Sequence, residues 1–259
     1  MDWKKYEGWL ILGLISIIFV ILLLIMGTGN LVHGDEQLFL LLNPSFNPAN
    51  PTIFDYFFVY FSTWGPAGFG LGTYGFIVFG LALFFLSLKI SALRPMRVIF
   101  LLVIVGLIVG YFGITTILKH LITRTRPFVT LTSNANDWVP FFYGTTPAEL
   151  FDLGLESFPS GHATAAFIFA TPFILIYNKY WIQIGAAVFG VLGAYARVYL
   201  GVHYPIDVFV GFLIGTLTVW FLFILFKRYL LPNAPWFQYK EVEDLIAETE
   251  IEEIEEEVV

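Results

Sequence analysis

The chain has no cysteine. Disulfides, thiolate catalysis and cysteine metal sites are therefore excluded, while the compartment is left open. Charge is scarce as well: Asp, Glu, Lys and Arg make up 13% of 259 residues, where a soluble domain carries about 25%. With 58% hydrophobic residues and a mean hydropathy of +0.80, the chain reads as an integral membrane protein. Acidic residues are sparse over most of its length. Ten of the twenty lie between Glu241 and Glu257, so residues 1–240 carry 13 basic and 10 acidic groups. The net charge of −7 thus belongs to one appendage, residues 231–259, read as an acidic cytoplasmic tail. Its Val, Leu and Ile alternate with Glu, which suits either a solvated run or an amphipathic helix.

A membrane-crossing helix needs about 20 mainly apolar residues. Six stretches approach or meet this: Trp9–Met26, Gly65–Leu88, Val98–Leu118, Gly161–Tyr177, Tyr180–Tyr199 and Ile206–Phe226. The expected fold is an all-α bundle of six transmembrane helices over residues 1–230. Trp9–Met26 has no obvious small-residue cleavage site and five spans follow it, so it reads as an anchor rather than a signal peptide. The fourth span is short, and its helix is expected to begin within Pro159–His162. Asn50-Pro51 has the form of a helix N-cap followed by proline at the first helical position, and Thr146-Pro147 could start another short helix.

Loop cations set the orientation. Lys4, Lys5, Lys89, Arg94, Arg97, Lys179, Lys227, Arg228 and Lys240 fall on one side of the six spans, with both termini. Only Lys119, Arg124, Arg126 and Arg197 fall on the other. Both termini are therefore expected in the cytoplasm. The four outward cations run against the topological bias, which an anionic ligand would explain.

These cations belong to three polar stretches at span ends, where ionisable groups mark function. In the first, Lys119 closes the third span, and Pro127 biases Arg126 toward an extended conformation, so the chain turns and both cations can meet one phosphate. Arg124 and His120 are either extra substrate contacts or head-group anchors. In the second, Pro159-Ser160-Gly161-His162 opens the fourth span. Ser160 suits an N-cap, Gly161 admits close approach of a ligand, and the free amides of a helix start bind anions. His162, in the first turn, is placed to protonate a leaving oxygen. In the third, Arg197 ends the fifth span, Gly201 permits a turn, and His203-Tyr204-Pro205-Ile206-Asp207 opens the sixth. Asp207 can reach back to one nitrogen of His203 and leave the other nucleophilic.

In order and spacing the three stretches resemble the signature of the type 2 phosphatidic acid phosphatase superfamily: Lys, six residues, Arg-Pro; Pro-Ser-Gly-His; then Ser-Arg, five residues, His, three residues, Asp. Here these read Lys119 to Arg126-Pro127, Pro159-Ser160-Gly161-His162, and Ala196-Arg197 to His203 to Asp207. Ala196 departs from the usual serine, which removes one hydroxyl but no nucleophile, acid or phosphate-binding cation. The resemblance covers residues 1–230 and implies a metal-independent lipid phosphate or diphosphate phosphatase without a cofactor. His203 would form a phosphohistidine, Asp207 would hold its tautomer and His162 would protonate the leaving group. Lys119, Arg126, Arg197, Ser160 and the Gly161 amide would hold the phosphate oxygens. A polyprenyl diphosphate, phosphatidate or phosphatidylglycerophosphate would be the substrate, bound at the extracytoplasmic face. The expected partners are that lipid and membrane lipids, with no nucleic acid. Phosphotransfer to an alcohol and a non-catalytic lipid-binding or transport role are the alternatives.

Overall fold

The structure, a computed structural model, describes residues 30–43, 52–63, 73–90, 93, 96–130, 156–177 and 179–230. Within them the chain is helical, with no named strand. Its helices are α1 (Asn30–Leu42), α2 (Ile53–Thr63), α3 (Thr73–Lys89), α4 (Arg97–Leu121), α5 (Gly161–Ile176), α6 (Tyr180–Tyr199) and α7 (Pro205–Leu230), with one extra turn at Pro127–Thr130. Three of these, α4, α6 and α7, are long and apolar enough to cross a membrane. α5 has 16 residues, a rise of about 24 Å, as short as its sequence suggested.

The span expected at Gly65–Leu88 is seen as α3 from Thr73 onward. Trp9–Met26, Asn50-Pro51, Thr146-Pro147 and the 231–259 tail lie outside the described residues. α2 is preceded by Thr52, whose backbone N–H and hydroxyl both donate to Asp55 Oδ2 at 2.6 Å. Asp55 N–H returns a bond to Thr52 Oγ1, a reciprocal capping arrangement.

α5 is the hub and is buried on nearly every side, as befits a helix that is apolar all round. α4, α6 and α7 pack around it. Its closest neighbour is α7, and small residues explain why. A Cβ at Gly211 would lie 2.5 Å from Ser160 O, and one at Gly215 2.6 Å from Thr164 O. The Gly211-x-x-x-Gly215 face therefore lets two backbones touch, the usual way apolar helices associate in lipid. On α4, Val98, Ile99, Leu102, Val103 and Leu107 form the core with Ile168 of α5 and Val219 and Leu222 of α7.

Within α4, residues Leu107–Thr115 widen into π-helical turns. Thr115 and Thr116 hydroxyls donate to the carbonyls of Gly110 (2.9 Å) and Tyr111 (3.2 Å), five residues back. Such widening is frequent at functional sites. α1 is tied to the end of α6: Asn43 Nδ2 donates to Val198 O (2.7 Å) and Tyr199 O (2.9 Å) in the last turn of that helix. Leu40, Leu41, Ile53, Phe54 and Phe57 of α1 and α2 point outward, an apolar face suited to lipid.

Candidate active site

All three polar stretches meet at one end of the bundle, joined by main-chain bonds. Thr125 pairs with Glu156 in an isolated antiparallel bridge, and Ser157 N–H donates to Arg124 O at 2.7 Å. Lys119 Nζ adds a bond to Glu156 O at 3.1 Å. These contacts lay the first stretch against the second. Ser160 N–H donates to Asp207 O at 2.9 Å, which lays the second against the third. Between α6 and α7 the chain turns at Gly201, whose φ of 70° is open to glycine at no steric cost. Val202 and His203 N–H both return to Arg197 O at 3.2 Å, closing the turn that carries His203 over Arg197.

Ser160 caps α5 as its sequence suggested, accepting from Ala163 N–H at 3.4 Å. Gly161 also makes room for a side chain of the protein itself. A Cβ there would lie 2.6 Å from the Tyr111 ring, so the glycine admits an aromatic side chain from the π-helical part of α4. The first amides of α5 have no carbonyl four residues back and start the anion-binding end of that helix. His162 stands in this first turn, within electrostatic reach of Arg197, Arg126 and Lys119.

His203 is 2% exposed and Asp207 0%. Arg126 Nη1 lies 3.3 Å from His203 Nε2 and donates to Val202 O at 3.0 Å. Burial, reinforced by the charges of Arg126, Lys119 and Arg197, holds the His203 imidazole well below its usual range. The ring is therefore neutral near pH 7 and keeps a lone pair. Its Nδ1 faces Asp207 Oδ2 at 3.7 Å, too far for the hydrogen bond that the sequence suggested. Asp207 is held by others: Oδ2 accepts from Tyr204 N–H at 2.9 Å and Oδ1 from Arg124 Nη1 at 3.0 Å.

Lys119, Arg126 and Arg197 thus surround two imidazoles, and Arg197 is fully buried. Among the described residues, Asp207 and Asp35 share Arg124, Glu156 stands beside Lys119 and Arg126, and Glu36 lies within electrostatic reach of Asp35. Burying cations is costly without compensating charge or hydrogen bonds, and three of them converge on the two imidazoles. Among the described residues no group of three or more His, Cys, Asp or Glu is arranged to hold a metal ion. Of the two ambiguous residues, Arg124 is engaged by carboxylates. His120 is exposed, with Nδ1 2.7 Å from Thr116 O on its own helix. Sequence reasoning missed Tyr111, Asp35 and Tyr204, whose partners lie far along the chain. It also missed Gly211 and Gly215, although their four-residue spacing was a legible signal.

Residues 95–230, which hold all three stretches, match the family model described as the PAP2 superfamily. The chain belongs to the PAP2 superfamily. Among curated PAP2-like relatives, the provisionally assigned undecaprenyl-diphosphatase YbjG of Escherichia coli (strain K12) is 32% identical over 123 residues, 48% of this chain and 54% of that protein. The lipid A 4′-phosphatase of Bacteroides thetaiotaomicron is 39% identical over 71 residues, 27% of this chain and 32% of that protein. The matches thus span about half or less of these relatives. A solved structure, the transmembrane PAP2-type phosphatidylglycerolphosphate phosphatase of Bacillus subtilis, has the same fold. It aligns with a TM-score of 0.57 at 23% identity, covering 86% of this chain and 98% of that one.

Proposed function

We propose that this PAP2 chain hydrolyses a lipid phosphate or diphosphate at the extracytoplasmic membrane face, through a phosphohistidine and without a metal. One observation carries the reading. A buried, neutral His203 presents Nε2 to Arg126 and Nδ1 to Asp207, so nucleophile, anion clamp and orienting carboxylate share one ring. His203 Nε2 attacks phosphorus. The bond to the leaving alcohol or phosphate breaks, and that oxygen takes a proton from His162. Lys119, Arg126, Arg197 and the Ser160–Gly161 helix start hold the equatorial oxygens as charge spreads over them. Water then attacks the phosphohistidine, gives a proton to His162, and leaves phosphate and free His203.

Catalysis at a bundle end suits a substrate whose tail stays in the bilayer. A polyprenyl diphosphate is the favoured substrate. Its support comes from the relatives, since Arg124, the expected contact for a second phosphate, is bound to Asp35 and Asp207. The outward face of the site is supported by the loop cations, nine of which the six-span reading assigns to the opposite side.

The test is phosphate release by purified full-length protein from a panel of lipid mono- and diphosphates, with EDTA present, ranked by kcat/KM. Release that survives EDTA and is lost in His203→Ala is expected. Equal release from both proteins refutes the phosphohistidine, and abolition by EDTA refutes the metal-free route.

A further inference from the structure

Arg124 is the centre of a buried charge network that the proposed reaction does not use directly. Its Nη1 donates to Asp35 Oδ2 at 2.7 Å and to Asp207 Oδ1 at 3.0 Å. The guanidinium carbon lies 3.7 Å from the centre of the Tyr204 ring, a cation–π contact. The far oxygen of each carboxylate binds the start of α7: Asp35 Oδ1 accepts from Ile206 N–H at 3.0 Å, and Asp207 Oδ2 from Tyr204 N–H at 2.9 Å. Asp35 belongs to α1, 171 residues before Ile206. An otherwise peripheral helix is thereby locked to the turn that carries the His203–Asp207 pair.

We propose that Arg124 and Asp35 are positioning residues for catalysis: Arg124 anchors Asp207 Oδ1 and so fixes the angle at which Oδ2 faces His203 Nδ1, while Asp35 holds Arg124 and the first turn of α7. This rests on the phosphohistidine reading above. Arg124 is suited to the task by its permanent charge and its stack on Tyr204, which lysine does not reproduce. Its side chain is only 8% exposed, and Nη1 alone serves both carboxylates, while Nε and Nη2 are buried without a hydrogen-bond partner. Burial pushes the Asp35 carboxyl up, and Arg124 opposes that shift. Each acid thus depends on the guanidinium to remain a buried anion. Without it, two carboxylates stand close with no shared cation, which burial strongly disfavours. Asp207 then turns or is neutralised, and His203 Nδ1 loses the group that orients it.

This network makes three kinetic demands that a substrate contact or a purely structural role does not. Arg124→Gln should lower kcat about 100-fold with KM changed less than about 2-fold, since a displaced orienting group harms the transition state rather than binding. Arg124→Lys should recover part of kcat. Asp35→Asn added to Arg124→Gln should leave kcat no lower, or raise it, because it removes the second buried anion; the two losses are then non-additive.

The experiment measures kcat and KM of the full chain in detergent for farnesyl diphosphate and for one lipid monophosphate. It compares wild type, Arg124→Gln, Arg124→Lys, Asp35→Asn, Arg124→Gln/Asp35→Asn and His203→Ala. A kcat loss shared by both substrates, with non-additivity, is expected. A rise in KM confined to the diphosphate would make Arg124 a substrate contact and overturn the proposal, as would additive losses or wild-type kinetics in Arg124→Gln. Should Arg124→Gln not fold, Arg124→Lys and Asp35→Asn are judged by the same split between kcat and KM. If His203→Ala keeps full turnover, the phosphohistidine reading fails and takes this inference with it. If only the Arg124 results deviate, the inference fails alone.

Discussion

His203 Nδ1 and Asp207 Oδ2 face each other at 3.7 Å across the first turn of α7, both sealed from solvent. The carboxylate is turned toward the ring, yet its hydrogen bonds go to Tyr204 N–H and Arg124. A small movement of the ring would bring Nδ1 into bonding range, and catalytic hydrogen bonds often tighten only when substrate is bound. The pair therefore offers orientation at the moment of attack rather than a fixed bond at rest.

Asp207→Asn keeps the volume of the side chain but removes its charge. The nitrogen that faces Asp207 then no longer meets an anion as His203 gains positive character on attack. We expect kcat to fall about 100-fold or more, within the range general acid–base groups contribute, while KM changes little. Steady-state phosphate release checks this, and an unchanged kcat would remove Asp207 from the mechanism.

Arg126→Lys keeps a positive charge but loses the planar fork that contacts both Val202 O and His203 Nε2. Arginine and lysine are not equivalent at such a site. We expect kcat/KM to fall about 10-fold or more, the loss of a charged hydrogen bond of 1.5–3 kcal/mol by order of magnitude. Equal kcat/KM in the two proteins would show that Arg126 acts as a point charge.

Stability should respond to pH through His203. Its folded pKa lies well below the usual 6.5, so below that pH the unfolded chain binds more protons than the folded one. Stability from this group is thus present above pH 6.5 and is lost as pH falls toward the depressed folded value, by at most about 1.4 kcal/mol per pH unit. The Tm in detergent should fall between pH 7 and pH 5 more steeply in wild type than in His203→Gln. Parallel slopes would mean that the imidazole titrates normally.

Gly211→Val and Gly215→Val would place side-chain atoms against Ser160 O and Thr164 O, which even a Cβ would approach to 2.5 and 2.6 Å. Backbone atoms cannot yield as a flexible side chain can. Each change should destabilise by about 1–3 kcal/mol or more, lowering Tm and, for Gly211→Val, activity as well through Ser160. Gly185→Ala on α6 meets nothing within 4 Å, and it should stay within about 1 kcal/mol of wild type or gain slightly. Similar losses at all three positions would contradict the close α5–α7 contact.

Much of this was legible in the residues themselves. Apolar runs marked α4 through α7 to within a few residues, because hydropathy alone distinguishes a span from a loop. Lys119, Arg126, Ser160, His162, Arg197, His203 and Asp207 all lie at span ends, and antiparallel spans bring those ends together. What could not be read is long-range. Asp35 meets Arg124 across 89 positions, and Asn43 serves carbonyls 155 and 156 positions away. No local pattern encodes either pairing. Gly161 illustrates a subtler gap: the sequence held no sign that Tyr111, on π-helical turns of α4, packs where a Cβ at this position would sit.

The central claim is that His203 attacks phosphorus. Rapid acid-free quenching of turnover on a radiolabelled lipid diphosphate, followed by peptide mapping, reads it directly. Acid-labile label on the peptide containing His203 is expected in wild type and missing from His203→Ala. Full turnover with no label in wild type, or the same label in His203→Ala, would contradict it.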